Sequence, residues 1–387
     1  MSDRTSSSKE PYVLALPSWY PNLQDEADGN FIEKHLQAIA EDVNVIALFV
    51  KGIEGRNYPE RMEDRSGRLT VIRRYYRKRS GLFGKILNVR SFLKIQKREF
   101  EEIRSGMGDP MLTHVHVVGR SSLLAIELKK SYSIPLLISE HWGGYYPESE
   151  KMGSFKRKLI RHVIAKSNAI TAVSESLANA IRDVTGVKDI QIIPNIVDDA
   201  FFTPVIGEKV DGAIQILHVS NMVNIKGVDD IIRTANRLAE KQDLFLTLVG
   251  DGPEGNKLKK LAGEMKNLEG KYRFTGDISQ GEIAGLLQTA SFSVLNSRYE
   301  SQSVVLLESI AMGVPILAPA VGGLVEHFSN KGILFDPMEE NALFRSMDEM
   351  IQRHGEWKAE DLRDYAMQHF SKERIKKDFS RLYKDLA

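Results

Sequence analysis

Residues 292–315 constrain the fold of this 387-residue chain more than any other stretch. Phe292-Ser-Val-Leu-Asn296 is a short apolar run, Arg298-Tyr-Glu-Ser-Gln-Ser303 is polar, and Val304 to Met312 is an apolar run of helical length that Gly313 stops and Pro315 keeps from resuming. The three pieces read as buried strand, loop and buried helix, the repeating unit of an open parallel α/β sheet. Such sheets bind ligands at the carboxyl ends of their strands, where the amino ends of helices offer unpaired N–H groups to phosphate. Ser301 and Ser303 are suitable caps there, Glu300 falls in the loop, and Glu308 lies inside the helix beside Leu306, Leu307, Ile310 and Ala311. A carboxylate in that company needs a polar partner to offset its desolvation, and a ligand's hydroxyl groups are candidates. On spacing alone, a solvated loop glutamate and a surface helix glutamate stand as an equal alternative.

The interval from Glu300 to Glu308 resembles the Glu-(seven residues)-Glu signature of the retaining glycosyltransferases of family four, and Leu306-Leu-Glu-Ser-Ile-Ala-Met-Gly-Val-Pro315 is similar to that family's pattern almost throughout. The resemblance implies the GT-B fold: two doubly wound, Rossmann-like parallel-sheet α/β domains with a central cleft. It puts an acceptor-side domain at residues 1–200, a nucleotide-sugar donor domain at 201–370, and a helix crossing back to the first domain at 371–387. It also implies metal-independent transfer of a sugar from a nucleoside diphosphate, UDP- or GDP-linked, to an acceptor hydroxyl with retention at the anomeric carbon. In that scheme Glu308 holds the ribose hydroxyls, Glu300 lies near the donor sugar, and Ser301, Gln302, Ser303 and Val304 complete the donor-binding loop. No Asp-x-Asp metal clamp ends a strand, so Lys226 and a helix amino end are expected to meet the diphosphate charge, with neither metal nor further cofactor.

Strand, loop and helix recur along the chain. Tyr12 to Leu16 is a strand, and Asp28-Gly29-Asn30-Phe31 opens a helix with Ile32, His35, Leu36 and Ile39 at helical spacing. Glycine lets backbone approach a ligand closely, and this loop resembles the family's first loop, where Gly29 and Asn30 reach toward donor phosphates and acceptor. Ile134 to Ser139 is a strand ending in Glu140-His141-Trp-Gly-Gly144, where His141 matches the family histidine that points at the donor sugar. Asn195 to Pro204 reads as the linker. Beyond it, the strand Ile214 to Val219 leads to Asn221 and to Lys226-Gly227 at a helix start, a charge and a helix dipole acting together on phosphate. Family members usually carry arginine where Asn221 stands, which throws more of that task onto Lys226. Gly250 and Gly252 form a tight loop after another strand, and Gly276-Asp277-Ile278 resembles the segment whose backbone holds the nucleotide base. Ile375, Phe379, Leu382 and Leu386 have helical spacing.

Composition bounds the partners. A net charge of +1 gives no footprint for nucleic acid, and the absence of cysteine removes disulfides, thiolate metal sites and thiol nucleophiles and fits a reducing compartment. The polar start, Met1 to Glu10, is not a secretory leader, and no run approaches the roughly 18 apolar residues of a spanning helix. A cytoplasmic protein is expected, with peripheral contact at the inner face of a membrane through residues 73–104. From Arg73 to Arg98 there is no acidic residue, and ten basic side chains interleave with aromatic and aliphatic ones. That pattern suits anionic lipid, an anionic acceptor or a plain solvated face. His114 and His116 share a strand face and could chelate a metal, but no third histidine or carboxylate nearby in sequence completes a ligand set, so no metal site is expected. The acceptor class stays open among glycan, glycolipid and small molecule. The rival readings are a non-catalytic nucleotide-sugar binder and a sugar-nucleotide hydrolase or epimerase. A glycosidase would also use two carboxylates, but has no need of Lys226-Gly227 at a helix start.

Overall fold

Among the described residues fourteen strands, most of them apolar runs, sort into two sheets. The computed structural model describes residues 10–55, 57–149, 152–202 and 212–387; the polar start through Lys9 and residues Thr203 and Pro204 of the expected linker lie outside the described residues. The first sheet holds β1 (Tyr12–Pro17), β2 (Asn44–Ile53), β3 (Arg61–Ser66), β4 (Leu69–Arg77), β5 (Leu112–His116), β6 (Leu136–Glu140), β7 (Ala169–Ala172) and β8 (Gln191–Ile192), in the order β3-β4-β2-β1-β5-β6-β7-β8. The second holds β9 (Ile214–Val219), β10 (Leu244–Val249), β11 (Tyr272–Gly276), β12 (Phe292–Val294), β13 (Ile316–Pro319) and β14 (Gly332–Phe335), in the order β11-β10-β9-β12-β13-β14. Numbered from β9, that is the 3-2-1-4-5-6 winding of a dinucleotide-binding sheet.

Every strand pairing is parallel except β3 with β4, a hairpin at the edge of the first sheet. The sequence reading missed β3. Arg61-Met-Glu-Asp-Arg-Ser66 has one apolar residue, because an edge strand facing water needs no apolar alternation.

Alternate residues of β1 feed opposite cores. Tyr12, Leu14 and Leu16 pack with Phe92, Phe100 and Leu124 on one face; Val13 and Ala15 pack with Ile32, Leu36, Phe379 and Leu382 on the other. The last four come from two helices distant in sequence, Asn30–Ile39 and Lys372–Leu386, so the chain's final helix completes the first domain. Each of those buried side chains contributes about 1.5–3 kcal/mol. The second domain repeats the plan, with Leu244, Leu246 and Leu248 against Ile231 and Ile232 on one face and Leu217, Val249 and Ile316 against Leu306 and Ile310 on the other.

The basic segment is not one amphipathic unit. Arg73 to Arg77 lie in β4, and a break at Lys78-Arg-Ser80 precedes the helix Gly81–Met107. Arg73 bonds Asp64 and the Pro21 carbonyl, and Arg74 pairs with buried Glu99, so the two are spent within the domain. The far end of the helix is core, through Phe92, Phe100 and Ile103. Its first turns expose Leu82, Phe83, Ile86 and Leu87. No described helix is long and apolar enough to cross a membrane.

Candidate active site

β9 and β12 lie side by side at the centre of the second sheet, where the winding reverses, so the loops from their carboxyl ends open into one crevice. The loop after β9 ends in a single 3-10 turn, Asn224–Lys226, followed by Gly227 at φ +56°. A Cβ on Gly227 would lie 2.6 Å from Asn296 Nδ2, so only glycine lets this loop close on the one after β12. That closure delivers Lys226 to Glu300: Nζ donates to Oε1 at 2.5 Å, with both side chains mostly buried.

Ser303 caps the helix Val304–Ala311, its hydroxyl accepting from Leu306 N at 3.4 Å, and Val304 is the first helical residue. One wall of that helix carries Glu308, only 4% exposed. Its partner is Lys34 of the first domain, whose Nζ stands 3.5 Å from Oε1. Burial pushes the Glu308 carboxyl up to about 7, and Lys34 draws it back only in part. At that distance one ammonium does not repay the desolvation of a carboxylate.

Gly322-Gly323, between β13 and β14, closes over Glu300 from behind. A Cβ at Gly322 would lie 2.1 Å from the Glu300 carbonyl oxygen, and Gly323 N donates to that oxygen at 3.0 Å.

Two of the expected donor residues turn out to tie the domains together. Ser301 Oγ donates to the His141 carbonyl at 2.8 Å, and Gln302 Oε1 accepts from Asn195 N at 2.7 Å. Gln302 Nε2 also stands 3.0 Å from His327 Nε2. Gly250, at φ +106°, would carry a Cβ 2.0 Å from the Ser220 carbonyl, and Gly252 one 2.8 Å from that of Met222. Their absent side chains therefore let two loops of the second domain lie flat together, leaving Asn221 exposed at their surface. Asp277 Oδ1 accepts from Asp251 N at 3.0 Å, which braces the third loop of that set, and Ile278 packs into the apolar cluster beneath.

In the first domain, Gly29 precedes the helix Asn30–Ile39 at φ +68°, where a Cβ would lie 2.5 Å from the Trp19 carbonyl carbon; Asn30 is the first helical residue. His141 follows β6, but both of its ring nitrogens are buried, rather than offered to a donor sugar as the family resemblance implies. Nδ1 stands 3.1 Å from Asn195 Oδ1, and Nε2 is buried without a hydrogen-bond partner. The rings of Phe31, His35 and His116 pack around it, at 4.9, 5.3 and 5.8 Å between centroids. The fold also supplies the histidines that sequence proximity withheld, since His35 and His141 join His116. His114 lies against His116, with ring centroids 3.9 Å apart, but both of its nitrogens are occupied, 2.7 Å from Tyr383 Oη and 2.7 Å from Ser139 Oγ.

Between the domains beside Glu300 lies a cavity of about 950 Å³, lined among others by Tyr146, Arg157, Asn179, Tyr299 and Gly322. Sequence reasoning missed Lys34 and Asn195, which touch Glu308 and Gln302 across the domain boundary, and His327, which touches Gln302 within the second domain. Lys34 sits one turn after Asn30 on the same helix face, the one signal that marked it.

Two doubly wound sheets that share a crevice at their carboxyl edges define the GT-B class of fold. Sucrose-phosphate synthase from Thermosynechococcus elongatus superimposes with a TM-score of 0.78 over 98% of this chain and 99% of that one, at 20% identity, a likeness of fold alone. The chain belongs to the family-four glycosyltransferases: residues 34–201 match the family described as Glycosyltransferase Family 4, and residues 202–369 that described as Glycosyl transferases group 1. Among curated relatives, the N-acetyl-alpha-D-glucosaminyl L-malate synthase of Bacillus anthracis is 30% identical over 243 residues, covering 59% of this chain and 62% of that protein, about six-tenths of its length. A putative teichuronic acid biosynthesis glycosyltransferase of Bacillus subtilis is 22% identical over 357 residues, 86% of this chain and 87% of that one.

Proposed function

We propose that this protein transfers a sugar from a nucleoside diphosphate sugar, UDP- or GDP-linked, to an acceptor hydroxyl with retention at the anomeric carbon. The observation that carries the reading is the placement of Lys226, Glu300 and Glu308 around one switch point, two carboxylates and an ammonium in a crevice with helix amino ends. In this reading the donor's diphosphate takes Lys226 from Glu300 and lies against the amino end of the helix Val304–Ala311. The ribose hydroxyls donate to Glu308, displacing Lys34. Glu300, freed from its lysine, faces the sugar and stabilises positive charge as the bond from the anomeric carbon to the phosphate oxygen breaks. The backbone of Gly29, Asn30, Gly250, Gly252, Asp277 and Ile278 frames the donor. His141 acts through its carbonyl, holding the Glu300 loop by way of Ser301, rather than through its covered ring.

The acceptor enters from the first domain. Leu82 and Phe83, 80% and 84% exposed, stand beside Lys85, Arg90 and Lys94 at the start of the helix Gly81–Met107, a surface that suits an acceptor carried on anionic lipid. A role in surface polysaccharide or glycolipid synthesis follows from that surface, and the Bacillus subtilis relative's description supports it.

The test is incubation with a panel of nucleotide sugars, with and without cell-derived acceptors, followed by product analysis. Free nucleotide that appears only with acceptor, and a product keeping the donor's anomeric configuration, fits the proposal. Nucleotide released without acceptor makes the protein a hydrolase, and binding without turnover makes it a scaffold.

A further inference from the structure

Four ring nitrogens in the first domain are buried without a hydrogen-bond partner, and they belong to three histidines: Nδ1 of His35, both nitrogens of His116, and Nε2 of His141. All three side chains are buried, on the helix Asn30–Ile39, at the last residue of β5 and just past β6. One ring nitrogen from each lies within 4.8 Å of the other two.

The outer contacts fix which way two of the rings face. His35 Nε2 stands 3.2 Å from the Pro194 carbonyl, which only accepts, so the proton is on Nε2 and Nδ1 carries the lone pair. His141 Nδ1 stands 3.1 Å from Asn195 Oδ1, which places its proton on Nδ1 and leaves Nε2 with the lone pair. Both lone pairs are orphans, and both belong to rings that cluster with His116. Metal-bound histidines have this arrangement, with the outer nitrogen bonded to a carbonyl and the inner one free to ligate. Around a tetrahedral ion with metal–nitrogen bonds of about 2.0–2.1 Å, imidazole centroids stand roughly 5 Å apart; here they stand 5.3, 5.8 and 6.3 Å apart.

We propose that His35, His116 and His141 bind one divalent first-row transition ion, zinc by preference, which pins the helix Asn30–Ile39 to the carboxyl edge of the first sheet. The ion satisfies three of the four orphan nitrogens, as a water donating to His35 and His141 and accepting from His116 also would, so metal analysis is what separates the two. A donor set of three imidazoles with no thiolate or carboxylate suits zinc, nickel or copper and disfavours magnesium or calcium. Burial keeps the imidazoles neutral, the form that ligates. The site is separate from the diphosphate position at Lys226, and does not depend on the transferase reading.

The test uses untagged full-length protein, because a polyhistidine tag would bind the same ions. Metal analysis of the purified protein, cobalt titration of the chelator-treated protein followed by visible absorption, and thermal unfolding with and without zinc are the three measurements. One equivalent of metal, an intense tetrahedral cobalt band and a zinc-dependent rise in Tm are expected. His116→Asn and His35→Asn should each weaken cobalt binding by more than about 100-fold, beyond what loss of an outer partner costs. Tyr383→Phe, which removes a hydroxyl bonded to His114 and leaves the three cluster imidazoles in place, should leave cobalt affinity unchanged. Failure of the unmodified protein to bind cobalt or zinc at stoichiometric concentration overturns the proposal, even where the variants do not fold. So does a cobalt spectrum that survives either histidine substitution.

Discussion

At the centre of the second sheet the crevice is lined by an ammonium and two carboxylates, Lys226, Glu300 and Glu308, whereas at the matching place in the first sheet, between β1 and β5, the side chains gathered are the neutral imidazoles of His35, His116 and His141. The two sheets share a winding rule and have carboxyl edges that meet one cleft, yet both carboxylates stand on one wall, and the other sends only Lys34 across to them. A diphosphate leaving group builds negative charge as it departs, so the wall that holds it needs a cation and oriented dipoles. The facing wall has to hold a shape, and uncharged buried groups do that at no cost in repulsion toward an anionic donor.

Replacing Glu300 is expected to have the largest effect. Glu300→Gln removes the charge that stabilises the electron-poor sugar and should lower turnover by about 10²–10³-fold, while nucleotide affinity by calorimetry stays within a few-fold. Unchanged turnover would mean that the charged wall does not act on the sugar. Lys226→Met should weaken nucleoside diphosphate binding by about 10–100-fold, the worth of one charge-assisted hydrogen bond, but leave nucleoside binding alone; equal loss for both would move the phosphate elsewhere.

Glu308 gives the comparison a pH signature. Its carboxyl is raised to about 7 by burial, so the free folded protein holds that proton more tightly than the unfolded chain does. Stability of the free protein should therefore fall as pH rises from the ordinary carboxylate range to about 7, and level off above it. Nucleotide binding needs the ionised carboxylate, so its affinity should drop by up to about tenfold per unit of pH below that point, measured by titration across pH. Glu308→Gln should flatten both curves. A pH dependence that survives in Glu308→Gln assigns the proton to another group. The smallest change is expected from Ser301→Ala, which loses one hydrogen bond to the facing wall, about 1 kcal/mol, seen as a fall of a few degrees in Tm with nucleotide affinity kept. A drop in nucleotide affinity as large as that of Lys226→Met would make Ser301 a donor ligand rather than a tie.

The charged wall was far more legible in the sequence than the neutral one. Buried parallel strands read as continuous apolar runs, and Lys226-Gly227 and Glu300 sit at loop positions where a strand ends and a helix begins, so local pattern places them and the family resemblance singles them out. Lys34 reads as an ordinary solvated helix lysine until Glu308, 274 positions away, is brought to it by the fold. His35, His116 and His141 come from three elements whose meeting is set by strand order, and strand order is not written in any one segment. β3 escaped because an edge hairpin in water carries no apolar signature. The basic run from Arg73 was legible only in part, since composition shows charge but not that Asp64 and Glu99 already pair with Arg73 and Arg74.

Val197 N donates to the Phe370 carbonyl at 2.9 Å, so the outgoing and returning passages of the chain between the domains are bonded side by side. Two crossings bonded side by side are held in register at that point. A separation of the two walls that keeps this bond still has to give up the Lys34–Glu308 and Ser301–His141 contacts.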